Sequence, residues 1–181
     1  GQSPRMQMYL FTYNTPMRDG SLDNEVIIHE YGHGVSTRLV GGAANSSALD
    51  ARQSRAMGEG WGDWWALMLT LKPTDTIGGA YAFAAYATGQ LDPGPGLRRY
   101  AYSYDMSIDP LTYGDVATNN EVHSMGEIWC AALWDMAWLM IEKYGFSENV
   151  AGGYDPADPA LSGGNNLAMK LVMDSLKLMP A

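Results

Sequence analysis

The sequence holds a single cysteine, Cys130, among 181 residues, so an internal disulfide is excluded. That thiol lies inside an apolar run and reads as a small buried side chain, which assigns no compartment. Histidine is scarce, with three copies, and so is phenylalanine, also with three. Charge is sparse as well. Charged residues make up 17% of the chain, 11 basic against 20 acidic, for a formal net charge of −9. So few cations exclude a polyanion such as nucleic acid as the partner. Long apolar runs are also missing. The longest, Ile128 to Ile141, is interrupted by Asp135, so no segment reads as a membrane-spanning helix and no membrane partner is expected. The chain opens on GQSP with no signal peptide, which suggests a processed or trimmed chain.

What is present points to a folded protein. Apolar residues make up 46%, and six tryptophans and eleven tyrosines supply large side chains to bury. One domain over residues 1–181 is expected, not a disordered chain.

The chain reads as mainly α, with one short N-terminal strand. Residues 5–13, RMQMYLFTY, have strand character, and NTPMRDGS then breaks it. A single strand leaves backbone groups unpaired, so it wants partner strands that the sequence does not obviously supply. A helix is predicted from Asp23, a good N-cap, to about Leu39, where Gly41 and Gly42 stop it. Ile28, Tyr31, Val35 and Leu39 form its predicted core stripe, with His29 and His33 on an adjacent face. Further helices are predicted over about 54–71, 77–87, 122–143 and 165–178. Residues 90–120, rich in proline, glycine, tyrosine and aspartate, read as a long loop of a kind that is uncommon unless functional.

The stretch VIIHEYGHG carries two of the three histidines four residues apart. One helical turn apart, His29 and His33 can both reach one metal ion, and the glutamate between them, Glu30, is placed to take a proton from a water at an open position. A third ligand is offered by MGEGWGDWW, where Glu59 lies 26 residues after His33. Asp63, one turn further on, could accept a hydrogen bond from a ligand histidine and fix its tautomer. Both could instead be carboxylates on a solvated helix face, but three tryptophans and three glycines surround them, and carboxylates in apolar company need a partner. Glycines at 32, 34, 58, 60 and 62 cost roughly 1 kcal/mol each in a helix and suggest close approach of the two helices.

His123 sits in NNEVHSMGEIW, where a long helix begins and the asparagines can cap it. There it could donate to an oxyanion, with Glu121 or Asn120 orienting it, or it could be an ordinary N-terminal histidine. Glu127 reads as structural or solvated, and Asp135 as a hydrogen-bonded buried acid. Tyr102, Tyr104 and Tyr113 could line a cleft, and nothing singles one out.

With these segments in hand, the chain resembles the fungalysin family of secreted zinc metalloendopeptidases, thermolysin-like gluzincins. The matching pieces are PRMQMYLFTY, RDGSLDNEVIIHEYGHGVSTRLVGG, MGEGWGDWWA, YSYDMSIDPLTYGD, EVHSMGEIW and NLAMKLVMDSLKL. The resemblance implies that His29, His33 and Glu59 bind Zn2+, that Glu30 is the catalytic base, that Asp63 supports the ligands and that His123 is the transition-state donor. It implies extracellular hydrolysis of peptide bonds in protein substrates, with a preference for apolar side chains on the primed side. It also implies that the chain is the central, helical, zinc-bearing part of a catalytic domain, without the family's upstream β half and C-terminal extension. Gly62 stands where the family usually has serine, and the cysteine usual between the two zinc segments is absent from NSSALDARQS. The alternative is a non-catalytic, fungalysin-derived subunit or binding module, with another polypeptide completing the fold.

Overall fold

A computed structural model describes residues 5–90 and 94–180. Two short strands and five helices follow in the order β1 (Leu10–Phe11), β2 (Arg18–Asp19), α1 (Asn24–Leu39), α2 (Arg52–Thr70), α3 (Ala85–Thr88), α4 (Val122–Tyr144) and α5 (Gly164–Leu178). The fold is mainly α, as expected.

The N-terminal strand has a partner within the chain. β1 pairs antiparallel with β2, Leu10 opposite Asp19 and Phe11 opposite Arg18. The strand is far shorter than the expected 5–13, because only the residues nearest the connecting turn face a second strand.

α1 starts where Asp23 predicts. The Asp23 carboxylate accepts from the N–H groups of Glu25 and Val26. The helix ends at Val40, and Gly41 and Gly42 leave it with positive φ. Its buried face differs from the predicted stripe. Val26, His29, Gly32 and Ser36 are buried, whereas Tyr31 is exposed and Ile28, Val35 and Leu39 are only half-buried. Small residues set that face, since they let α2 approach closely.

α2 is the centre of the molecule. It packs on α1 at one side and α4 at the other, and α4 packs on α5. Every residue from Gly58 to Met68 is buried. Trp61, Trp64 and Trp134 are at most 1% exposed, and burying each contributes roughly 3 kcal/mol. Backbone approach decides the spacing. A Cβ on Gly32 would lie 3.2 Å from the Gly62 Cα, and a Cβ on Gly126 of α4 would lie 2.8 Å from the Ala56 carbonyl oxygen. The glycines therefore divide: Gly32 and Gly62 serve the α1–α2 contact, Gly60 faces α4, and Gly34 faces open space.

The helix expected over 77–87 is mostly absent, and only Ala85–Thr88 is helical. The preceding residues pair instead. Tyr81 exchanges both backbone hydrogen bonds with Tyr102, and Leu97 N–H donates to the Phe83 carbonyl. Gly78 and Gly79 weaken the helical option, and the cross-chain pairing wins. Cys130 is buried, as expected. Asp135 departs from expectation: it is half-buried on the wall of an apolar cavity with Met57, Leu111 and Trp129, and has no hydrogen-bond partner among the described residues. No helix among the described residues is long and apolar enough to cross a membrane.

Candidate metal centre

His29 and His33 project from α1, and Glu59 projects from α2 across the narrow α1–α2 contact. Their donor atoms converge. His29 Nε2 lies 3.0 Å from His33 Nε2 and 3.1 Å from Glu59 Oε2, and His33 Nε2 lies 3.3 Å from that same oxygen. The three could hold one metal ion, since all donor atoms fall within 4.8 Å of one another.

Behind them sits Asp63, fully buried. Its carboxylate can only accept, so His29 Nδ1–H donates to it at 2.7 Å. That leaves Nε2 of a neutral His29 with its lone pair toward His33 and Glu59. Asp63 also accepts from Arg98 through both Nε (2.5 Å) and a terminal nitrogen (2.6 Å), and from the Tyr102 hydroxyl (2.5 Å). Burial alone would raise this carboxyl, but the Arg98 guanidinium and the bond from His29 hold it down at about 2. Glu59 behaves alike. Burial works against its charge, yet the bonds from His29 and His33 and the proximity of His123 keep it well below the usual carboxylate range.

His123, at the start of α4, turns its Nε2 to within 3.4 Å of Glu59 Oε2, and its Nδ1 meets Glu121 at 2.5 Å. Glu121, not an asparagine, also caps α4 by accepting from Ser124 N–H. Asn120 is engaged elsewhere, by Arg52. Glu30 is exposed. It lines a cavity of about 370 Å³ together with His29, His123, Arg98, Phe83 and Leu97. Thus five of the six residues singled out in the sequence are linked by contacts of 3.4 Å or less, and the sixth, Glu30, shares a cavity wall with His29 and His123.

The fungalysin metallopeptidase (M36) family model matches residues 1–181. The chain belongs to that family. It is 46% identical over 180 residues to extracellular metalloproteinase MEP of Neosartorya fischeri, and 43% identical over 180 residues to extracellular metalloproteinase 2 of Trichophyton tonsurans and of Arthroderma benhamiae. Each match covers 99% of this chain and 28% of the relative, so the chain spans little more than a quarter of the length of these relatives.

Several residues of this fungalysin chain's site escape a reading of the sequence. Arg98 is one: it is 9% exposed, and nothing in the stretch LRRY distinguishes it from its neighbour. Arg99 in fact goes elsewhere, to Glu127 at 2.8 Å, which makes Glu127 a buried structural carboxylate. Tyr102 is the tyrosine, of the three considered, that reaches the site. Phe83 is the last, its ring 5.3 Å from the His29 ring with the Arg98 guanidinium 4.6 Å over its face.

Proposed function

We propose that this chain is the central, zinc-bearing helical part of a fungalysin catalytic domain, and that it acts in hydrolysis of peptide bonds in extracellular proteins. The observation that carries this reading is the triangle of His29, His33 and Glu59 donor atoms. Bonds of 2.0–2.1 Å in a tetrahedral zinc site put ligand atoms about 3.3–3.4 Å apart. The separations of 3.0, 3.1 and 3.3 Å are close to that edge length, and the donor set of two imidazoles and one carboxylate suits zinc. Bound there, zinc supplies Lewis acidity toward a peptide carbonyl and toward water.

The chain's own residues divide the remaining work. Asp63 holds His29 in the tautomer that presents Nε2. Glu30, on the cavity wall, takes a proton from the attacking water on its carboxylate and returns it to the leaving nitrogen. His123, with both ring nitrogens protonated, donates from Nε2 to the carbonyl oxygen as that oxygen gains charge, while Glu121 accepts its Nδ1 proton. Phe11, Tyr13, Val26, Phe83 and Leu97 line the same cavity, and their apolar surface suits an apolar substrate side chain.

A companion reading has another polypeptide completing the fold, with or without catalysis. It is favoured by exposed apolar side chains beside the site, Tyr13 and Tyr31, each more than two-thirds exposed.

The test is metal content together with casein cleavage before and after chelation. One zinc per chain and chelator-sensitive cleavage are expected, and Glu30→Gln should keep the zinc while losing about 10²–10⁴-fold in rate. A metal-free, inert chain, or a Glu30→Gln variant as fast as the parent, would overturn the hydrolytic reading. Co-elution with a different polypeptide on native gel filtration would support the companion reading.

A further inference from the structure

The corner at residues 81–89 brings no atom to the metal-binding triangle, yet it presents Phe83 to two groups that serve it. Phe83 is 2% exposed, and its ring touches both His29 and Arg98. Directly after Phe83 the chain turns at Ala84, with φ 55° and ψ 43°. Ala84 is the one non-glycine with positive φ among the described residues. An alanine does not adopt that conformation unaided, so neighbouring contacts must hold it.

Those contacts come mainly from the first turn of α1. The Ala84 N–H donates to Glu25 Oε2 at 2.6 Å, while Thr70 Oγ1 of α2 lies 3.5 Å from Glu25 Oε1. The Ala87 N–H donates to Asp23 Oδ2 at 2.9 Å, the same carboxylate whose other oxygen caps α1. Arg18 of β2 donates to the Tyr86 carbonyl at 2.8 Å. Glu25 precedes His29 by four residues, one helical turn. Burial raises its carboxyl to about 7, so it sits where ionisation is costly and not where a helix-end charge would be best solvated.

We infer that Glu25 is a positioning residue for the site: by accepting the Ala84 N–H it holds the left-handed corner that seats Phe83 against His29 and Arg98, and so fixes the angle at which His29 presents Nε2. The inference rests on His29 being a metal ligand, as proposed above.

Two measurements on the full chain test it. The first is zinc affinity by competition with a chromophoric chelator. Glu25→Gln keeps an acceptor oxygen and is expected within about twofold of the parent, whereas Glu25→Ala should lose about tenfold. Adding Ala84→Gly to Glu25→Ala should regain most of that loss, because glycine takes the left-handed conformation without help. A carboxylate that served only the helix end would not be rescued in this way. The second is the NMR signal of the His29 ring in the metal-free chain, which feels the Phe83 ring current. It should move in Glu25→Ala and return in the double variant. A folded Glu25→Ala variant with parental zinc affinity and parental His29 signals would overturn the inference. So would a double variant no better than Glu25→Ala in both measurements. If the parent binds no zinc, the proposed function fails, and the His29 signals alone still decide the role of Glu25.

Discussion

Asp63 accepts the Nδ1 proton of His29 at 2.7 Å, and both side chains are buried in the contact between α1 and α2. The bond does more than satisfy a buried donor. It decides which imidazole nitrogen is left to face His33 and Glu59, and it ties the triangle to Arg98 and Tyr102, which share the same carboxylate.

Replacing this carboxylate tests that arrangement. Asp63 satisfies four donors, and an asparagine has one acceptor oxygen, so Asp63→Asn leaves donors facing an NH2 group. It also favours the His29 tautomer that carries its proton on Nε2. Zinc affinity is expected to fall about 10–100-fold. Asp63→Ala goes further, because Arg98 is left buried and unpaired, and a loss of about 3–5 kcal/mol in unfolding free energy is expected. Denaturant unfolding of the metal-free variants, set beside the zinc titration, separates the two effects. Parental affinity in Asp63→Asn would remove Asp63 from the site.

The protonation of the triangle sets a second prediction. In the metal-free chain, burial pulls the His29 pKa down, but hydrogen bonds to Asp63 and Glu59 more than offset this and raise it to about 9. At neutral pH His29 therefore holds a proton that a metal must displace. Zinc uptake near pH 7.5 is expected to release about one proton per ion, read by calorimetry in buffers of different ionisation enthalpy. The stability profile follows with opposite signs. The raised pKa of His29 contributes stability fully below 6.5, and that contribution is lost as pH rises through about 9. The lowered pKa of Glu59 contributes above 4.5 and is lost as pH falls toward its folded value. Glu25, raised by burial to about 7, contributes fully below 4.5 and loses that contribution as pH rises through about 7, because ionising it costs more in the folded chain. The metal-free chain should thus be most stable on the acid side of neutrality and weaken toward pH 9. A flat profile between pH 6 and 9 would contradict these protonation states.

A substitution at His123 tests whether catalysis and metal binding separate. It is half-exposed, and its Nε2 stands 3.4 Å from Glu59 Oε2. A group acting on a substrate oxygen should matter to rate and little to the ion. His123→Ala is expected to slow casein cleavage by about 10²–10³-fold while zinc affinity stays within about threefold. A large loss of zinc from this variant would make His123 a ligand instead.

The parts of this site that can be read from sequence are those fixed locally. His29, Glu30 and His33 follow from helical spacing, Asp23 from cap chemistry, and Glu59 with Asp63 from their setting among tryptophans and glycines. The buried face of α1 is harder to read. Side-chain size draws Tyr31 into the stripe, whereas the close approach of Gly32 to Gly62 chooses the face. Arg98, Tyr102 and Phe83 escape for a different reason. They lie outside the long helices, and long-range backbone pairing between Tyr81 and Tyr102 carries them to α2. Neither period nor spacing encodes that pairing.

Two glycine substitutions with opposite expected signs test the packing that holds the triangle together. Glycine to alanine in a helix gains up to about 1 kcal/mol when the new methyl meets nothing. A methyl on the Gly34 Cα would have no neighbouring atom within 4 Å, so Gly34→Ala should stabilise the chain by about 0.5–1 kcal/mol. At Gly126 the same methyl would lie 2.6 Å from the Glu59 Cβ and 2.8 Å from the Ala56 carbonyl oxygen. The backbone of α2 cannot yield there without moving Glu59. The overpacking cost of about 1–3 kcal/mol exceeds the propensity gain, so Gly126→Ala should destabilise and should also weaken zinc binding. Thermal unfolding and a zinc titration of both variants decide it. Equal and positive shifts would mean that α2 and α4 are not in the close contact on which the placement of Glu59 depends.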